Sequence, residues 1–516
     1  MIERILTVGG LTLLSRATGF ARDIILAAVL GAGPVADAFF VALRLPNHFR
    51  AIFAEGAFNA AFVPAYARIR EQGDAARARV FADRVFTLLL ASQIVLLALA
   101  FIFTPFVISL LAPGFAKDPG RFALAVDLTR ITFPYLLLVT LVTLYGGIRN
   151  AMHRFAAAAA APILLNLSMI VALALAAFFP SAGHAAAWGV LIAGCLEFFL
   201  VAGDATRAGV MTRFRWPQLD IDVRGFFRAL GPATVGAGGV QLALFADTII
   251  ASFLATGALS ALYYADRLNQ LPIGVIGIAA GTVILPEMAR RIAAGDATGA
   301  SQAQNRAIEF TLLLSIPCVV AFLLIPDLIM RALFSRGAFT TADAHAAGST
   351  LAAYAIGLIP FVMIRSIVAT FLARGDTATP VKASLAAVAV NVLLKIVLMG
   401  PLAQVGLALA TSIGAWINLL LALWFAHRAG LSGFDARFKQ SVWKLAVAGL
   451  VLALILWLSL RPVESLLQDW HALREEAALG ALAAIGAIAY GGVIALLFGR
   501  QWLKAFRAGR GSGVPK

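Results

Sequence analysis

Long apolar runs follow one another along almost the whole chain, with short polar stretches between them. Most of these runs exceed the roughly 20 apolar residues that one helix needs to cross a bilayer. We therefore predict an all-α polytopic membrane protein. Fourteen transmembrane helices are expected, near residues 5–30, 35–66, 85–112, 123–148, 157–180, 184–203, 229–255, 261–288, 307–333, 346–373, 380–400, 404–426, 442–460 and 477–498.

Composition agrees with this pattern, since 61% of the residues are hydrophobic and only 13% are charged. In a typical soluble domain about a quarter of the residues are charged. The net charge of +15 would suggest nucleic acid as the partner of a soluble protein, but here the basic residues cluster in alternate loops. The loops and tail of one side hold 26 Lys and Arg, against 6 on the other. The positive-inside rule then places both termini in the cytoplasm, and nucleic acid is not expected as a partner.

The first apolar run carries Arg16 and Arg22 and continues directly into a second run, so we expect it to stay in the mature protein rather than act as a cleaved signal peptide. The two cysteines, Cys195 and Cys318, lie within apolar runs and are interpreted as small core residues.

The chain also contains a weak internal repeat. Aligning the sequence with itself places Asp23 on Asp247 and Phe39-Phe40 on Tyr263-Tyr264, and shortly afterwards, in a slightly different register, Pro64 on Pro286. Apolar sequences align with themselves easily, but these matches occur in order and map spans 1 and 2 onto spans 7 and 8. A displacement of six spans keeps the orientation in the membrane, as in transporters built from two parallel repeats.

We accordingly expect two six-helix lobes related by a pseudo-twofold axis, followed by two C-terminal helices. The predicted parts are an N-lobe (1–205), a cytoplasmic linker (206–228), a C-lobe (229–428), and a last part with spans 13 and 14 and a basic cytoplasmic tail (429–516). In transporters of this plan the substrate site lies between the lobes.

Spans 1 and 2 carry charges that a lipid-facing helix does not tolerate. A charged side chain at the centre of a membrane helix costs about 2.5–3.5 kcal/mol, so Arg16, Arg22 and Arg50 should face a wet or charge-paired interior. Gly19 separates the first two of these arginines, and Leu45-Pro46-Asn47 interrupts span 2. We expect the helix backbone to open at both places.

Acidic residues in the same region determine how much of the positive charge of these arginines is neutralised. Asp37 and Arg44 are seven residues apart, as are Arg16 and Asp23, so each pair lies near one helical face and could form an ion pair. Arg22 is adjacent to Asp23, and Asp266 to Arg267, so the members of each pair should point in different directions and full neutralisation is not expected. The alternative is that every arginine is neutralised and only locks helices together.

Planar guanidinium groups bind phosphate oxygens in pairs. Three or four of them around one cavity suit a diphosphate better than a neutral drug or a cation. Apolar helices beside such a cavity further suit a substrate with a polar head and a hydrocarbon tail.

The charged region resembles the MurJ/MviN family, the lipid II flippases of the MOP superfamily. The resemblance rests on SRATGFARD, GAGPVADAFFVALRLPN and FRAIFAEGAFNAAFVP in spans 1 and 2 and on ASFLATGALSALYYADRLNQLPIGVIGIAAGTVILP in span 8. It continues at RGDTATPVK after span 10, and so covers nearly the whole chain.

This resemblance implies a bacterial inner-membrane protein that moves lipid II, the undecaprenyl-diphosphate-linked disaccharide pentapeptide, from the cytoplasmic to the outer leaflet for peptidoglycan synthesis. Membrane lipids and other cell-wall synthesis proteins are further candidate partners. The last two spans correspond to a groove suited to the polyprenyl tail. The family's cavity residues correspond to Arg16, Arg22, Arg50, Arg267, Asp23, Asp37 and Glu55, and our further candidates for substrate contacts are Arg44, Asn47 and Asp266.

No catalytic residue, metal site or cofactor is predicted. Asp247 and Asp376 are candidates for binding a coupling monovalent cation, although Asp376 could simply cap a turn in RGDTATP. The membrane potential is the other candidate energy source, because it favours outward movement of an anion by about 2.3 kcal/mol per charge per 100 mV. An exporter of drugs or of another lipid-linked oligosaccharide is the alternative function. An enzyme acting on the same lipid is less well supported, because no HExxH or GxxxxGK[ST] motif occurs.

Overall fold

The computed structural model describes residues 2–50, 57–431, 433–470 and 473–508, and no strand occurs among them. Seventeen α-helices lie in this part of the chain. In order they are α1 Ile2–Leu30, α2 Pro34–Phe49, α3 Ala57–Glu71, α4 Ala75–Leu111, α5 Pro119–Thr132, α6 Pro134–Ala151, α7 Ala156–Ala174, α8 Ala182–Arg207, α9 Ile221–Ser252, α10 Ala258–Ala293, α11 Ala297–Leu324, α12 Pro326–Phe334, α13 Thr341–Ala355, α14 Leu358–Leu372, α15 Ala378–Arg428, α16 Ala436–Leu466 and α17 Arg474–Ala508.

The predicted spans coincide with these helices or with pairs of them, which confirms an all-helical fold. α5 and α6 together cover the fourth span and meet at Pro134, while α15 covers both the eleventh and the twelfth. α15 is divided at Ala403, whose φ of 46° lies outside the helical region. Among the described residues, nine helices or joined helix pairs are long and apolar enough to cross a membrane. The total of fourteen crossings stays a prediction.

α1 runs through Gly19 without a break, so the expected opening of its backbone is wrong. A Cβ atom at Gly19 would lie 3.3 Å from the side-chain nitrogen of Asn166 on α7. Glycine is therefore needed here for the close approach of α1 and α7, and not for a bend. The expected opening at Leu45-Pro46-Asn47 in span 2 is also wrong, because α2 continues through Pro46 to Phe49 and Arg50 keeps helical dihedral angles.

Contacts divide the chain into two units. Unit 1 contains Met1–Ser260 and Arg336–Thr340, and unit 2 contains Ala261–Ser335 and Thr341–Lys516. The division falls inside α10, and α9 belongs to unit 1, whereas the sequence placed α9 in the C-lobe. The boundaries of the two lobes and of the linker stay a prediction.

Aromatic rings fill the part of the unit 1 core where α3, α4 and α9 meet. Phe62 stacks on Phe58 and on Phe81, with ring centroids 5.0 and 5.5 Å apart. Phe226, near the start of α9, packs edge-on against Phe58 at 5.8 Å. Rings of this size supply much of the buried apolar area, so they hold the start of α9 against α3 and α4.

An arginine on α4 also fixes the segment that precedes α9. Arg84 pairs with Asp220, and Asp220 caps α9 by accepting a 2.8 Å hydrogen bond from the backbone N–H of Val223. Arg306 on α11 pairs with Asp435 at 2.7 Å, and Asp435 caps α16 in the same way. We call these two arrangements the linker clamps.

The linker clamps extend the repeat that the sequence indicated. The register that aligns Pro64 with Pro286 also aligns Ala75, the first residue of α4, with Ala297, the first residue of α11. In this register Arg84 falls on Arg306, so both arginines lie at the same distance from the start of their helices. Each clamp therefore joins the third predicted span of one half to the helix that follows the six spans of that half.

Candidate functional site

Arg22 and Asp23, adjacent on α1, form a direct ion pair. Arg22 donates to Asp23 Oδ1 from Nη2 at 2.7 Å and from Nε at 3.2 Å. Only 12% of the Arg22 side chain and 6% of the Asp23 side chain are exposed. The expectation that these neighbours point apart is wrong, because the long arginine side chain folds back along the helix to reach the next residue.

Asn166 on α7 holds the other edge of the same guanidinium. Its Oδ1 accepts from Arg22 Nη1 at 3.0 Å, while its Nδ2 donates to the carbonyl of Ser15 at 2.9 Å and to Thr18 Oγ1 at 3.1 Å. Asn166 is buried and sits against Gly19. The sequence analysis did not single out Asn166; a lone amide in an apolar span was its only signal.

Arg16, which precedes Arg22 on α1, has an exposed side chain. Within the described residues it forms no ion pair, and the predicted pairing of Arg16 with Asp23 is wrong because Asp23 is bound to Arg22. Arg16 keeps its charge at the surface of α1.

Asp37 accepts hydrogen bonds on both of its carboxylate oxygens. Its carboxylate accepts from the backbone N–H groups of Gly257 at 2.8 Å and Ser260 at 3.0 Å, from the Ser260 hydroxyl at 2.6 Å, and from Arg121 Nη1 at 3.3 Å. The side chain is 1% exposed. Asp37 therefore joins the start of α2 to the start of α10 and to α5.

Arg44 does not pair with Asp37, contrary to the sequence prediction. It donates from Nη1 to Thr248 Oγ1 on α9 at 2.8 Å. Residues seven apart share a helical face but are separated by two turns, about 10.5 Å along the axis. Arg44 and Asp37 thus meet different helices.

Arg121 is a buried cation that the sequence analysis missed, because it was counted in a loop. It lies in the first turn of α5, which Asp118 caps, and its guanidinium lies 4.1 Å above the ring of Phe115. The signal was Asp118-Pro-Gly-Arg121, since Asp followed by Pro is typical of a helix start.

Arg50, directly after α2, lines a cavity of about 160 Å³ inside unit 1. Asn59, Asn150 and Glu197 contribute further polar groups to its wall. Glu197 is 3% exposed, and its Oε2 lies 3.4 Å from the Tyr135 hydroxyl. Glu197 was missed, although a single acid in a membrane span is by itself a sign of function.

Span 2 contains two other predicted site residues, Asn47 and Glu55. Asn47 lies in the last turn of α2, where its carbonyl accepts from the backbone N–H of Arg50. Glu55 falls outside the described residues.

Arg267 and Asp266 lie on the part of α10 that belongs to unit 2. The guanidinium of Arg267 lies 4.8 Å from the ring centre of Tyr263, and Asp266 accepts a 3.4 Å hydrogen bond from Gln270. Arg365 on α14 is another cation of unit 2; its side chain passes so close to Gly277 that a Cβ there would lie 3.1 Å away.

The two candidate cation ligands lie in different surroundings. Asp247 is partly buried on α9, whereas Asp376 precedes α15 and accepts from the N–H groups of Ala378 and Thr379, each at 3.0 Å. Hydrogen bonds from Thr379 and Ala378 hold the pKa of Asp376 below its ordinary value. Asp376 thus caps a turn, the simpler of its two interpretations. In the described part of the chain no three His, Cys, Asp or Glu side chains converge as metal ligands do.

An apolar groove of about 570 Å³ lies in unit 2 between α11, α16 and α17. Cys318, Leu452, Leu482 and Gly491 are among the residues that line it. Tyr490 points its hydroxyl out of the apolar surface and donates to the carbonyl of Leu313 at 2.9 Å. The groove is formed by the last two predicted spans together with the ninth.

Comparison with known proteins agrees with these features. The family model described as "Lipid II flippase MurJ" matches residues 26–470. The chain belongs to the MurJ family. A protein of Rhizobium meliloti named "Probable lipid II flippase MurJ" is 40% identical to it over 464 residues, which are 89% of this chain and 86% of the relative. "Lipid II flippase MurJ" of Burkholderia cenocepacia is 32% identical over 98% of both chains.

Solved structures support the same fold. The MurJ structure titled "Lipid II flippase MurJ, inward closed conformation" gives a TM-score of 0.81, with 24% identity over 96% of this chain and 99% of that one. A "multidrug resistance MATE family transporter of the MOP superfamily" in an inward-facing conformation gives 0.67, covering 82% of this chain and 94% of the other. The protein is thus a multi-pass membrane transporter with the fold that MurJ and MATE proteins share.

Proposed function

We propose that this MurJ-family protein is a lipid II flippase, which moves the undecaprenyl-diphosphate-linked precursor from the inner to the outer leaflet by alternating access. The observation that carries the assignment is the match of the family model over residues 26–470, together with relatives of that name at up to 40% identity. In this activity the lipid changes its leaflet, and its covalent structure stays the same.

The head group and the tail of the lipid are assigned to different parts of the chain. Arg16, Arg22, Arg50 and Arg267 bind the diphosphate, since guanidinium groups suit its paired oxygens. The groove between α11, α16 and α17 takes the polyprenyl tail, which its apolar lining supports. Both termini lie in the cytoplasm of a bacterium with this protein in its inner membrane, as the distribution of basic loop residues indicates.

The driving force is assigned to the membrane potential. Asp23 already offsets the charge of Arg22, so the empty protein carries less positive charge through the membrane than the arginines alone would give. The anionic substrate then contributes a larger share of the total charge on which the membrane potential acts.

The test is depletion of the protein from its cell, followed by measurement of lipid II on each leaflet. We expect the precursor to accumulate on the cytoplasmic side, and an Arg22→Ala or Arg267→Ala copy to fail to reverse this. Arg154→Ala, which changes an exposed arginine between α6 and α7, is the matched control and should restore transport. Depletion without accumulation would overturn the assignment, and full rescue by both site variants would favour a different substrate class.

A further inference from the structure

We propose that Asn166 is a positioning residue for the diphosphate-binding arginine Arg22, an inference that rests on the proposed function above. Asn166 does not itself need to touch the substrate. It fixes the plane in which Arg22 presents its guanidinium, so that the paired oxygens of a lipid diphosphate meet it in one geometry.

The orientation of the Asn166 amide is settled by its own partners. Nδ2 has two acceptors on α1, the Ser15 carbonyl at 2.9 Å and Thr18 Oγ1 at 3.1 Å. An amide oxygen in that position would face two acceptors and could not bond to the carbonyl. Oδ1 must therefore point to Arg22, whose Nη1 donates to it at 3.0 Å.

Two partners at different edges hold the guanidinium. Asp23 takes the Nε and Nη2 side, and Asn166 takes Nη1. A guanidinium held at one edge can still tilt about that edge, whereas two points of attachment on separate helices fix the plane. Bidentate binding of phosphate depends on this plane, because both N–H···O bonds must form together.

Two packed helices support this geometry. α1 and α7 pack along each other, and Gly19 allows the Asn166 side chain to lie directly against the α1 backbone. A neutral amide also orients the arginine without cancelling its charge, which Asp23 already offsets in part. A second carboxylate at position 166 would orient Arg22 equally well but would oppose an anionic ligand.

The experiment measures the dissociation constant of undecaprenyl diphosphate for the full-length protein in nanodiscs, with thermal unfolding recorded for every variant. Asn166→Ala should weaken binding about 10-fold, the effect of losing one hydrogen bond to a charged group. Asn166→Asp should weaken it further although the side chain keeps its size. Thr18→Val removes a partner of Asn166 but leaves the bond to Arg22, so its affinity should stay within about twofold of the parent.

A double-mutant cycle with Arg22→Ala separates positioning from a merely structural role. If Asn166 acts through Arg22, Asn166→Ala causes no further loss in the Arg22→Ala background. Losses that multiply in the double variant, or an Asn166→Ala protein that binds like the parent, would overturn the inference while leaving Arg22 as a ligand. Unchanged binding by Arg22→Ala alone would overturn the head-group assignment as well.

Discussion

At the scale of single residues, Asp37 shows how a charge inside the membrane can be structural. The family resemblance implied a cavity acid, but the carboxylate accepts four hydrogen bonds within unit 1 and is almost completely buried. Its partners are two backbone N–H groups, a hydroxyl and a guanidinium. All of them donate to the carboxylate, so Asp37 holds the ends of α2, α5 and α10 together.

We expect Asp37→Asn to lower the free energy of unfolding by about 3 kcal/mol, because the amide leaves the buried Arg121 with only the more exposed Asp118 as a charge partner and turns N–H groups toward other donors. Thermal unfolding in detergent measures this. Asp118→Asn is the control, since Asp118 also lies 3.8 Å from Arg121 but is 44% exposed; its effect should stay under about 1 kcal/mol. Equal effects of the two substitutions would contradict the structural role of Asp37.

The sequence located most of the charged residues that matter, because charges in apolar spans are conspicuous. It could not identify their partners. Asp37 was matched with Arg44 by helical periodicity, which compares residues of one helix, whereas the actual partner Arg121 lies on α5. Likewise, Arg22 meets Asp23 only because a flexible side chain folds back, and periodicity carries no information on side-chain conformation.

At the scale of helices, the linker clamps combine a helix cap with an ion pair. Burial raises the pKa of Asp435, but hydrogen bonds from Arg306 and from the N–H of Phe438 more than offset this, so the pKa lies below its ordinary value. A carboxyl whose pKa is lowered in the folded protein stabilises the fold fully at any pH above the pKa of a free aspartate, which is about 3.9. This contribution is lost as the pH falls through the lower pKa of the folded state.

Asp435→Ala should therefore destabilise the protein by about 1 kcal/mol through loss of the cap, and Asp435→Asn by less, since Asn can still accept the hydrogen bond from the N–H of Phe438. The difference between the parent and Asp435→Asn should be the same at pH 6 and pH 8 and should shrink only below about pH 4. Thermal unfolding of both proteins at pH 8, at pH 6 and below about pH 4 measures this difference in stability. A difference that changes between pH 6 and pH 8 would contradict this account.

The helices themselves were largely predictable, because apolar runs of sufficient length have few other structures in a membrane. Their interruptions were predicted less well. The division of α15 at Ala403 falls in the gap that the sequence placed between spans 11 and 12, but α1 and α2 run unbroken through Gly19 and Pro46. Glycine serves both helix contact and helix bending, and only the neighbouring helix decides between them.

At the scale of the whole molecule, the polar network and the apolar groove lie in different units. The buried arginine network of α1 lies in unit 1, and the apolar groove lies in unit 2. The groove can be tested on its own, because its wall includes a glycine with open space around it.

Gly491 lines the groove and Gly492 does not, yet a Cβ atom at either position would meet nothing within 4 Å. Gly491→Leu should therefore fold normally and weaken binding of undecaprenyl diphosphate about 10-fold, because the leucine occupies space in which several tail carbons would be buried. Gly492→Leu should bind like the parent. With a short-chain prenyl diphosphate neither variant should differ from it. If Gly491→Leu also bound the short-chain ligand more weakly, the substitution would be acting on head-group binding and not on tail binding.

The linker clamps also carry a practical consequence. The same arginine and aspartate occur in both halves of one polypeptide, and the two arginines occupy corresponding positions of α4 and α11. Each substitution can thus be made in either copy while expression level, lipid environment and assay stay identical. Any difference between Arg84→Ala and Arg306→Ala then measures how differently the two halves depend on the same type of contact.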